Sequence, residues 1–395
     1  MIETPPLVDQ HCHGVLRTEL GLAAFEAQLS RSAAPPAPGT TFFDSQAGFA
    51  VRRWCPPLLG LEPHCPPVRY LARRRELGVL ETGRRLLRGS GTGTYLVDTG
   101  AAGDLTRPGE LASAGAARAH EVVRLETLAE QTADTSGTVG AFLTNLAEAV
   151  HAAAATAVAF TCAASAASAA SATSALPGGD APDSADTRAA AGRWLAHRAR
   201  GGPLRDPVLL RHLLWSAVET GLPLQLRTGA GTPYERLDRT DPALLTDFVW
   251  ATAGLGTDLV LLHGYPYHRQ AAHLAAAFPH VYADLGAALG HTGPRAAEVL
   301  AELLELAPFG KLLFSSGGRN LPELHVVAAR VFREALGRVL GGWVADGAWS
   351  LRDAERVAGM LAAGNAHRVY RLPAGTGTPC PRRPVPAGAE PEGPS

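Results

Sequence analysis

Eight short runs rich in apolar residues recur along the chain, and most are separated by segments with the apolar spacing of helices. The runs span residues 7–14, 94–100, 121–126, 156–164, 222–229, 258–266, 281–288 and 311–318. Such alternation is typical of parallel βα units. Eight units predict a single (β/α)8 TIM-type barrel of the α/β class over residues 1–372. An open doubly wound sheet would usually carry a Gly-rich phosphate loop after its first strand, where this chain has a histidine pair.

Two stretches fall outside this pattern. Residues 163–186 form a low-complexity Ala/Ser-rich insert after the fourth run, and residues 373–395 are rich in Pro and Gly. We expect the insert to be a loop and the tail to be disordered.

The composition argues against several classes of function. The 36 basic and 37 acidic side chains give a formal net charge of −1, which disfavours electrostatic binding to nucleic acid or to an anionic membrane. The uncharged stretch 152–179 has too few Leu, Ile and Phe residues for a membrane helix. The first ten residues do not resemble a signal peptide, and the five cysteines are scattered. We therefore expect a cytoplasmic protein that acts on a small molecule, and its assembly into a homo-oligomer stays open.

The first run ends in two histidines, within the sequence DQHCHG. Functional groups of a barrel lie at the carboxyl ends of its strands. The two-residue spacing places the imidazoles of His11 and His13 on one face, where they can share a metal ion, while Cys12 points away. The alternative is that both simply close a strand as polar residues. Asp9 precedes the pair on the same face, where it would orient a ligand histidine or bond to the backbone.

Two later runs also end in polar residues. His263 follows the sixth run in LLHGYP, where it would act with the histidine pair or serve as a structural hydrogen-bonding residue. Asp284 lies near the end of the seventh run in VYADLG, and both a place in the site lining and a structural pairing are open. Together these residues predict one polar site at the carboxyl end of the barrel.

The motifs and their order resemble the amidohydrolase superfamily, in its amidohydrolase-related branch. The resemblance covers nearly the whole chain, through DQHCHG, VVRLETLAE, LPLQLRTGAG, LLHGYPYHRQ, KLLFSSGGRNLPEL and GNAHRVYRL. The chain is most similar to the barrel that stands alone or precedes a glutamine-synthetase-like domain in nodulin-like fusions. The resemblance implies hydrolysis of C–N or related C–C bonds in small polar substrates by a divalent metal, usually zinc. It matches His11 and His13 to the first-strand ligands and His263 to the sixth-strand histidine.

Three positions depart from the ligand set that the resemblance implies. The family commonly has a lysine or acid on the fourth strand, a histidine on the fifth and an aspartate on the eighth, where this chain has Thr161, Arg227 and Gly317. Without a carboxylate we expect zinc, or another divalent metal, to be held weakly or to be absent. Arg227 would suit an anionic substrate group better than a neighbouring zinc ion. The ordinary alternative pairs it with Asp284.

Two functional hypotheses follow. The first is an amidohydrolase-type hydrolase or a related decarboxylase, with metal on the histidine pair and with His263 as a ligand or as the group that polarises the substrate. Arg227 and Asp284 would contact that substrate. The second is a catalytically degenerate barrel that binds a small ligand or regulates a partner, such as a glutamine-synthetase-like enzyme, by analogy with the fused relatives. The loss of anionic ligands around the imidazoles favours impaired or altered chemistry.

Overall fold

Seven parallel strands form one sheet, ordered along the sheet as they are along the chain. The computed structural model describes residues 2–162, 179–199, 201–229, 231 and 236–373. The strands are β1 (Leu7–Cys12), β2 (Thr92–Asp98), β3 (Arg118–Arg124), β4 (Ala159–Cys162), β5 (Leu224–Arg227), β6 (Leu259–Leu262) and β7 (Val281–Ala283). Each overlaps one of the first seven predicted runs, so the parallel α/β prediction is confirmed.

The eighth predicted run is not a regular strand, but its backbone joins the two edges of the sheet. The Leu313 amide donates to the Ala283 carbonyl of β7 over 3.1 Å, and the Gln10 amide of β1 donates to the Phe314 carbonyl over 3.0 Å. Residues 312–318 thus stand where an eighth strand would, and the expectation of eight regular strands is corrected to seven within the described part of the chain.

Helices connect the strands and cover the sheet. In the described ranges they are α1 (Leu22–Ala27), α2 (Gln46–Trp54), α3 (Pro67–Ser90), α4 (Pro108–Gly115), α5 (Leu125–Asp134), α6 (Val139–Ala154), α7 (Ser184–Arg198), α8 (Pro207–Val218), α9 (Thr246–Ala251), α10 (His268–Ala277), α11 (Ala288–Thr292), α12 (Ala296–Leu306), α13 (Pro322–Ala345), α14 (Leu351–Gly359) and α15 (Asn365–Val369). A π-helical turn at Met360–Gly364 joins the last two. None of these helices combines the length and apolar character needed to cross a membrane.

The predicted insert and tail are only partly covered by the structure. Residues 163–178 of the insert and 374–395 of the tail lie outside the described residues. The remainder of the insert runs into α7, whose first turn is capped by the Asp183 side chain, which accepts a hydrogen bond from the Asp186 amide over 2.7 Å.

Two apolar layers hold the sheet. Because successive side chains of a strand point to opposite faces, each strand contributes to both layers. In β6, Leu259 and Leu261 pack toward the helices, while Val260 and Leu262 pack on the other face. That second layer also contains Val8, Leu96, Val122, Ala159, Tyr282 and Leu313. Its apolar filling leaves the polar chemistry to the residues at and after the strand ends.

Candidate active site

Three histidine rings form a row at the carboxyl ends of β1 and β6, which we call the imidazole row (His11, His13 and His263). The ring centroid of His11 lies 5.1 Å from that of His13 and 5.4 Å from that of His263. Among the described residues no ring contact joins His13 to His263, so His11 is the central ring. The structure therefore brings together the three histidines that the sequence singled out.

A bulge in β1 decides which side chains face the imidazole row. The register with β2 shifts between Asp9 and Cys12, so that three steps along β1 match two steps along its neighbour. Asp9 and Cys12 consequently lie on one side of the strand, with ligand atoms within 4.8 Å of each other and of His325. The prediction that Asp9 shares a face with the histidine pair is wrong, because strict alternation does not survive a bulge.

Asp9 instead binds the irregular segment 312–318, through Ser316. Its Oδ1 accepts a hydrogen bond from the Ser316 amide over 2.7 Å, and its Oδ2 accepts one from the Ser316 hydroxyl. Of the two roles considered for Asp9, the structure places it in the backbone-bonding one. Because this bond uses an amide that a regular strand would commit to the ladder, it also explains why residues 312–318 are irregular.

Gln225 of β5 sets the orientation of the central ring. Its Oε1 lies 2.8 Å from Nδ1 of His11, and its Nε2 donates to the Gln10 carbonyl over 2.7 Å. An amide oxygen can only accept, so Nδ1 of His11 carries the proton and Nε2 keeps its lone pair. Burial lowers the pKa of His11, which keeps the ring neutral at neutral pH. A neutral ring whose other nitrogen is hydrogen-bonded is the usual state of a metal-ligating histidine.

Asp98 brings a carboxylate to the imidazole row that was not expected from the sequence. It is the last residue of β2, and one ligand atom each from His11, His13 and Asp98 lie within 4.8 Å of one another. Oδ2 of Asp98 is 3.7 Å from Nδ1 of His13. The prediction that no carboxylate faces the imidazoles is therefore wrong. The available signal was the aspartate of TYLVDTG, at the end of the strand that pairs with β1.

Arg124, at the end of β3, holds this carboxylate. Its Nε donates to Oδ2 of Asp98 over 3.1 Å, and its Nη2 donates to the same oxygen. The other oxygen, Oδ1, accepts from the Gly100 amide over 2.9 Å. Burial by itself would raise the pKa of Asp98, but the interactions with His13 and Arg124 outweigh it and the net shift is downward. Asp98 is accordingly an ionised carboxylate at neutral pH.

His263 has a left-handed backbone and a ring of defined orientation. Its φ is 65°, a conformation that costs about 1–3 kcal/mol for most residues and often marks a functional site. The Ala287 amide donates to Nδ1 of His263 over 3.4 Å. Since Nδ1 accepts, the proton resides on Nε2, and the ring is a hydrogen-bond donor at that atom. A Cβ at Gly286 would lie 1.9 Å from Nδ1, so only glycine permits this approach.

Arg227 stands next to His263 in the sheet. It is the last residue of β5, is half-buried, and pairs in register with Leu262. Burial is the largest cause that lowers the pKa of His263 well below its ordinary value, followed by electrostatic coupling to the His11 ring. Arg31 and Arg227 act in the same direction, which shows that both guanidinium groups are within electrostatic reach of the ring. Arg31, from the connection between α1 and α2, was not among the sequence candidates.

Asp284 is fully buried behind His263. One oxygen accepts from the His263 amide over 2.6 Å, while the other accepts from the Ser315 hydroxyl over 2.6 Å and from the Gln10 amide group. Burial raises its pKa to about 6, against the opposing effect of these hydrogen bonds. Its contacts support the strained backbone of His263.

Two other residues, Thr161 and Gly317, stand where the family commonly has metal ligands. Thr161 lies in β4, and Gly317 lies in the segment 312–318. Thr161 is fully buried, and its hydroxyl donates to the Gln225 carbonyl over 3.4 Å. Gly317 has φ of 56°, and a Cβ there would lie 2.8 Å from Cβ of Ala287 and 3.0 Å from Cε1 of His263. An aspartate at position 317 therefore does not fit this backbone. Asp98 takes the place of an eighth-strand carboxylate and does not add to one.

The sequence pattern of the amidohydrolase family matches residues 64–372 of this chain. The chain belongs to the amidohydrolase family. Over 181 residues it is 38% identical to the protein fluG of Emericella nidulans, an alignment that covers 44% of this chain and 21% of fluG. The chain therefore spans about a fifth of the length of this curated relative.

Solved structures share the fold of this chain. A putative metal-dependent hydrolase from Lactobacillus casei superposes with a TM-score of 0.79 at 22% identity, over 94% of this chain and 96% of that one. A uronate isomerase from Thermotoga maritima gives a TM-score of 0.55 at 13% identity, over 92% and 94% of the two chains. At these identities the likeness concerns the fold alone, and it supports a TIM-type arrangement of the sheet and helices.

A divalent metal, which membership of the family suggests, fits the donors that the structure brings together. Catalytic zinc sites use three imidazole or carboxylate ligands and leave one position for water. His11, His13 and Asp98 form such a set, and we call them the metal group. The tautomer fixed by Gln225 leaves Nε2 of His11 able to bind a cation, and the ionised Asp98 supplies negative charge. Arg124 would share the Asp98 carboxylate with the ion.

Proposed function

We propose that this member of the amidohydrolase family is a metal-dependent hydrolase of C–N bonds in small anionic substrates. The observation that carries the proposal is the metal group, in which ligand atoms of His11, His13 and Asp98 lie within 4.8 Å of one another. Asp98 supplies from β2 the carboxylate that the family commonly takes from the eighth strand. The carboxylate thus comes from a different strand than in the family pattern. The set still contains two neutral donors and one anionic donor, as in a catalytic zinc site.

The chain's own residues divide the remaining work. A divalent metal, when bound, would lower the pKa of a water molecule and polarise the scissile carbonyl. His263, neutral because burial lowers its pKa, would donate a hydrogen bond from Nε2 to the substrate carbonyl oxygen. Arg227 would bind an anionic substrate group with its guanidinium. Asp284 would keep His263 in place rather than contact the substrate.

A second candidate is a barrel that binds its ligand without hydrolysing it. The observation that favours it is the pair of hydrogen bonds from Arg124 to Asp98, because a metal would have to compete with that guanidinium for the carboxylate. In this reading the pocket would serve regulation of a partner, including the glutamine-synthetase-like enzyme considered above.

Elemental analysis of protein purified without chelator separates the two candidates. We expect near-stoichiometric zinc or another divalent metal in the wild type, and its loss in His11→Ala, His13→Ala and Asp98→Asn. Asp284→Asn is the control, since that carboxylate is hydrogen-bonded to His263, Ser315 and Gln10 and is not part of the metal group. The metal-loaded protein should release amine from members of a panel of N-acyl and N-carbamoyl amino acids. Metal-free wild type, or full metal in all three ligand variants, would contradict the proposal.

A further inference from the structure

Two arginines on the His13 side of the imidazole row hold one loop. Nη1 of Arg124 donates to the Gly100 carbonyl over 3.2 Å, and Nη2 of Arg319 donates to the Ala102 carbonyl over 3.0 Å. Residues two apart along a chain are separated by at most about 7 Å. The two guanidinium groups therefore face the same short stretch after β2, directly beyond Asp98.

Arg319 has hydrogen-bonding capacity that the described residues do not use, whereas the Nε, Nη1 and Nη2 atoms of Arg124 each donate to Asp98 or Gly100. Among the described residues, the buried Nε of Arg319 has no hydrogen-bond partner. Burial lowers the pKa of Arg319, and the positive charge of Arg124 lowers it further, while Asp98 opposes both. A guanidinium offers five N–H donors in a fixed plane, and a carboxylate matches two of them at once. Two positive groups around the one carboxylate of Asp98 are suited to a further anion.

A guanidinium also lies at the opposite end of the imidazole row. Arg227 neighbours His263 through the pairing of β5 with β6, while Arg124 and Arg319 lie at the His13 end. The central ring, His11, thus has a basic group on either side along the row. A short molecule lying across the row would place its middle over His11 and its two ends near guanidinium groups.

We propose that Arg124 and Arg319 form a carboxylate-binding subsite, and that the substrate is a small dicarboxylate whose second carboxylate is bound by Arg227. This assignment names the substrate class of the proposed hydrolase. The reaction of that substrate rests on the proposed function, whereas its binding to the arginines does not. A carboxylate fits better than a phosphate, because the nearby Asp98 repels a dianion more strongly than a monoanion.

Calorimetric titration of metal-free protein tests the subsite. The probes are a series of dicarboxylates from malonate to adipate, together with butyrate and inorganic phosphate. We expect one or two dicarboxylate lengths to bind more tightly than butyrate. Arg319→Gln and Arg227→Gln should each weaken that binding at least about tenfold, toward the level of butyrate, because each removes a charge-assisted pair. Arg352→Gln, which makes the same change on the exposed face of α14, is the matched control.

Several outcomes would overturn the assignment. The first is an equal affinity of Arg319→Gln and wild type for the dicarboxylates. The second is that butyrate binds as tightly as every dicarboxylate, and the third is that phosphate binds more tightly than all of them. Arg319→Lys keeps the charge but loses the planar fork, so an intermediate loss is expected if Arg319→Gln does not fold. The titration needs no metal, so its result stays valid even if the protein binds no metal. Conversely, the elemental analysis stays valid even if no dicarboxylate binds.

Discussion

The ends of β2 and β7 each carry a buried aspartate, and the two carboxylates differ in what surrounds them. Asp98 is bound by the Arg124 guanidinium and lies beside His13, and its pKa is lowered. Asp284 accepts hydrogen bonds from an amide group, a hydroxyl and a backbone N–H, and burial raises its pKa to about 6. Two buried carboxylates therefore differ in pKa: that of Asp98 is lowered, while that of Asp284 is raised to about 6.

The difference shows which carboxylate can serve a cation. A positive neighbour compensates the charge of Asp98, so that residue is ionised and positioned among the imidazoles. The hydrogen bonds that Asp284 accepts from the described residues come from uncharged dipolar groups, and they fix the backbone of His263. We expect the first to control metal binding and the second to control stability and its dependence on pH.

The largest effect should come from Asp98→Asn. Structural zinc sites with four ligands bind by about 10–16 kcal/mol, or about 2.5–4 kcal/mol per ligand, so losing this donor should weaken zinc affinity by about two to three orders of magnitude. Zinc titration in competition with a chromophoric chelator measures the change. Asp284→Asn is the matched control and should keep wild-type affinity. If the two variants lose metal equally, the distinction between the carboxylates fails.

Asp284 should make the protein less stable as the pH rises from about 4 to about 6. Its folded pKa of about 6 exceeds the ordinary value of 3.8, so in this range the unfolded chain releases a proton that the folded protein keeps. Two pKa units correspond to about 3 kcal/mol, present in full below the ordinary value and lost above the folded one. Urea unfolding at several pH values would show this slope in wild type, and Asp284→Asn should flatten it. An unchanged slope in the variant would contradict the assignment.

Gly317→Asp restores the residue that the family commonly carries, yet we expect no gain in metal affinity. The new Cβ would meet Ala287 at 2.8 Å and occupy a left-handed φ of 56°. Strain and overpacking together should lower the free energy of unfolding by about 2 kcal/mol. Gly317→Ala carries the same Cβ without the carboxylate and should lose a similar amount. Tighter zinc binding by the aspartate variant, at wild-type stability, would instead show that the eighth-strand position remains a ligand site.

The fold was predictable because it depends on pattern. Apolar runs such as that of β6 recur between helical segments, and burial of both faces needs little more than their residue types. The three histidines were also predictable, since parallel strands bring their carboxyl ends to one edge. The count of regular strands was not, because the Asp9 carboxylate takes the Ser316 amide from the ladder.

The charges of the site were harder to predict than its histidines. A one-residue bulge in β1 moves Asp9 away from the imidazoles, and no residue type in the strand predicts this bulge. The ligand pattern of the family places its carboxylate on other strands and so does not predict Asp98, although the strand of Asp98 pairs with β1. Arg31 comes from a distant connection in the sequence, so its position near His263 depends on the folded chain.

The smallest effect should come from Gln225, which orients a ligand without contacting the metal. Its Oε1 accepts from Nδ1 of His11, while its Nε2 donates to the Gln10 carbonyl. Gln225→Leu removes both contacts and should weaken zinc affinity about tenfold, the lower range for such outer partners. Gln225→Glu keeps an acceptor for His11 but loses the donor, so its stability should fall while its zinc affinity stays at or above that of wild type. Equal losses of affinity in the two variants would mean that Gln225 supports the packing of the strands rather than the tautomer of His11.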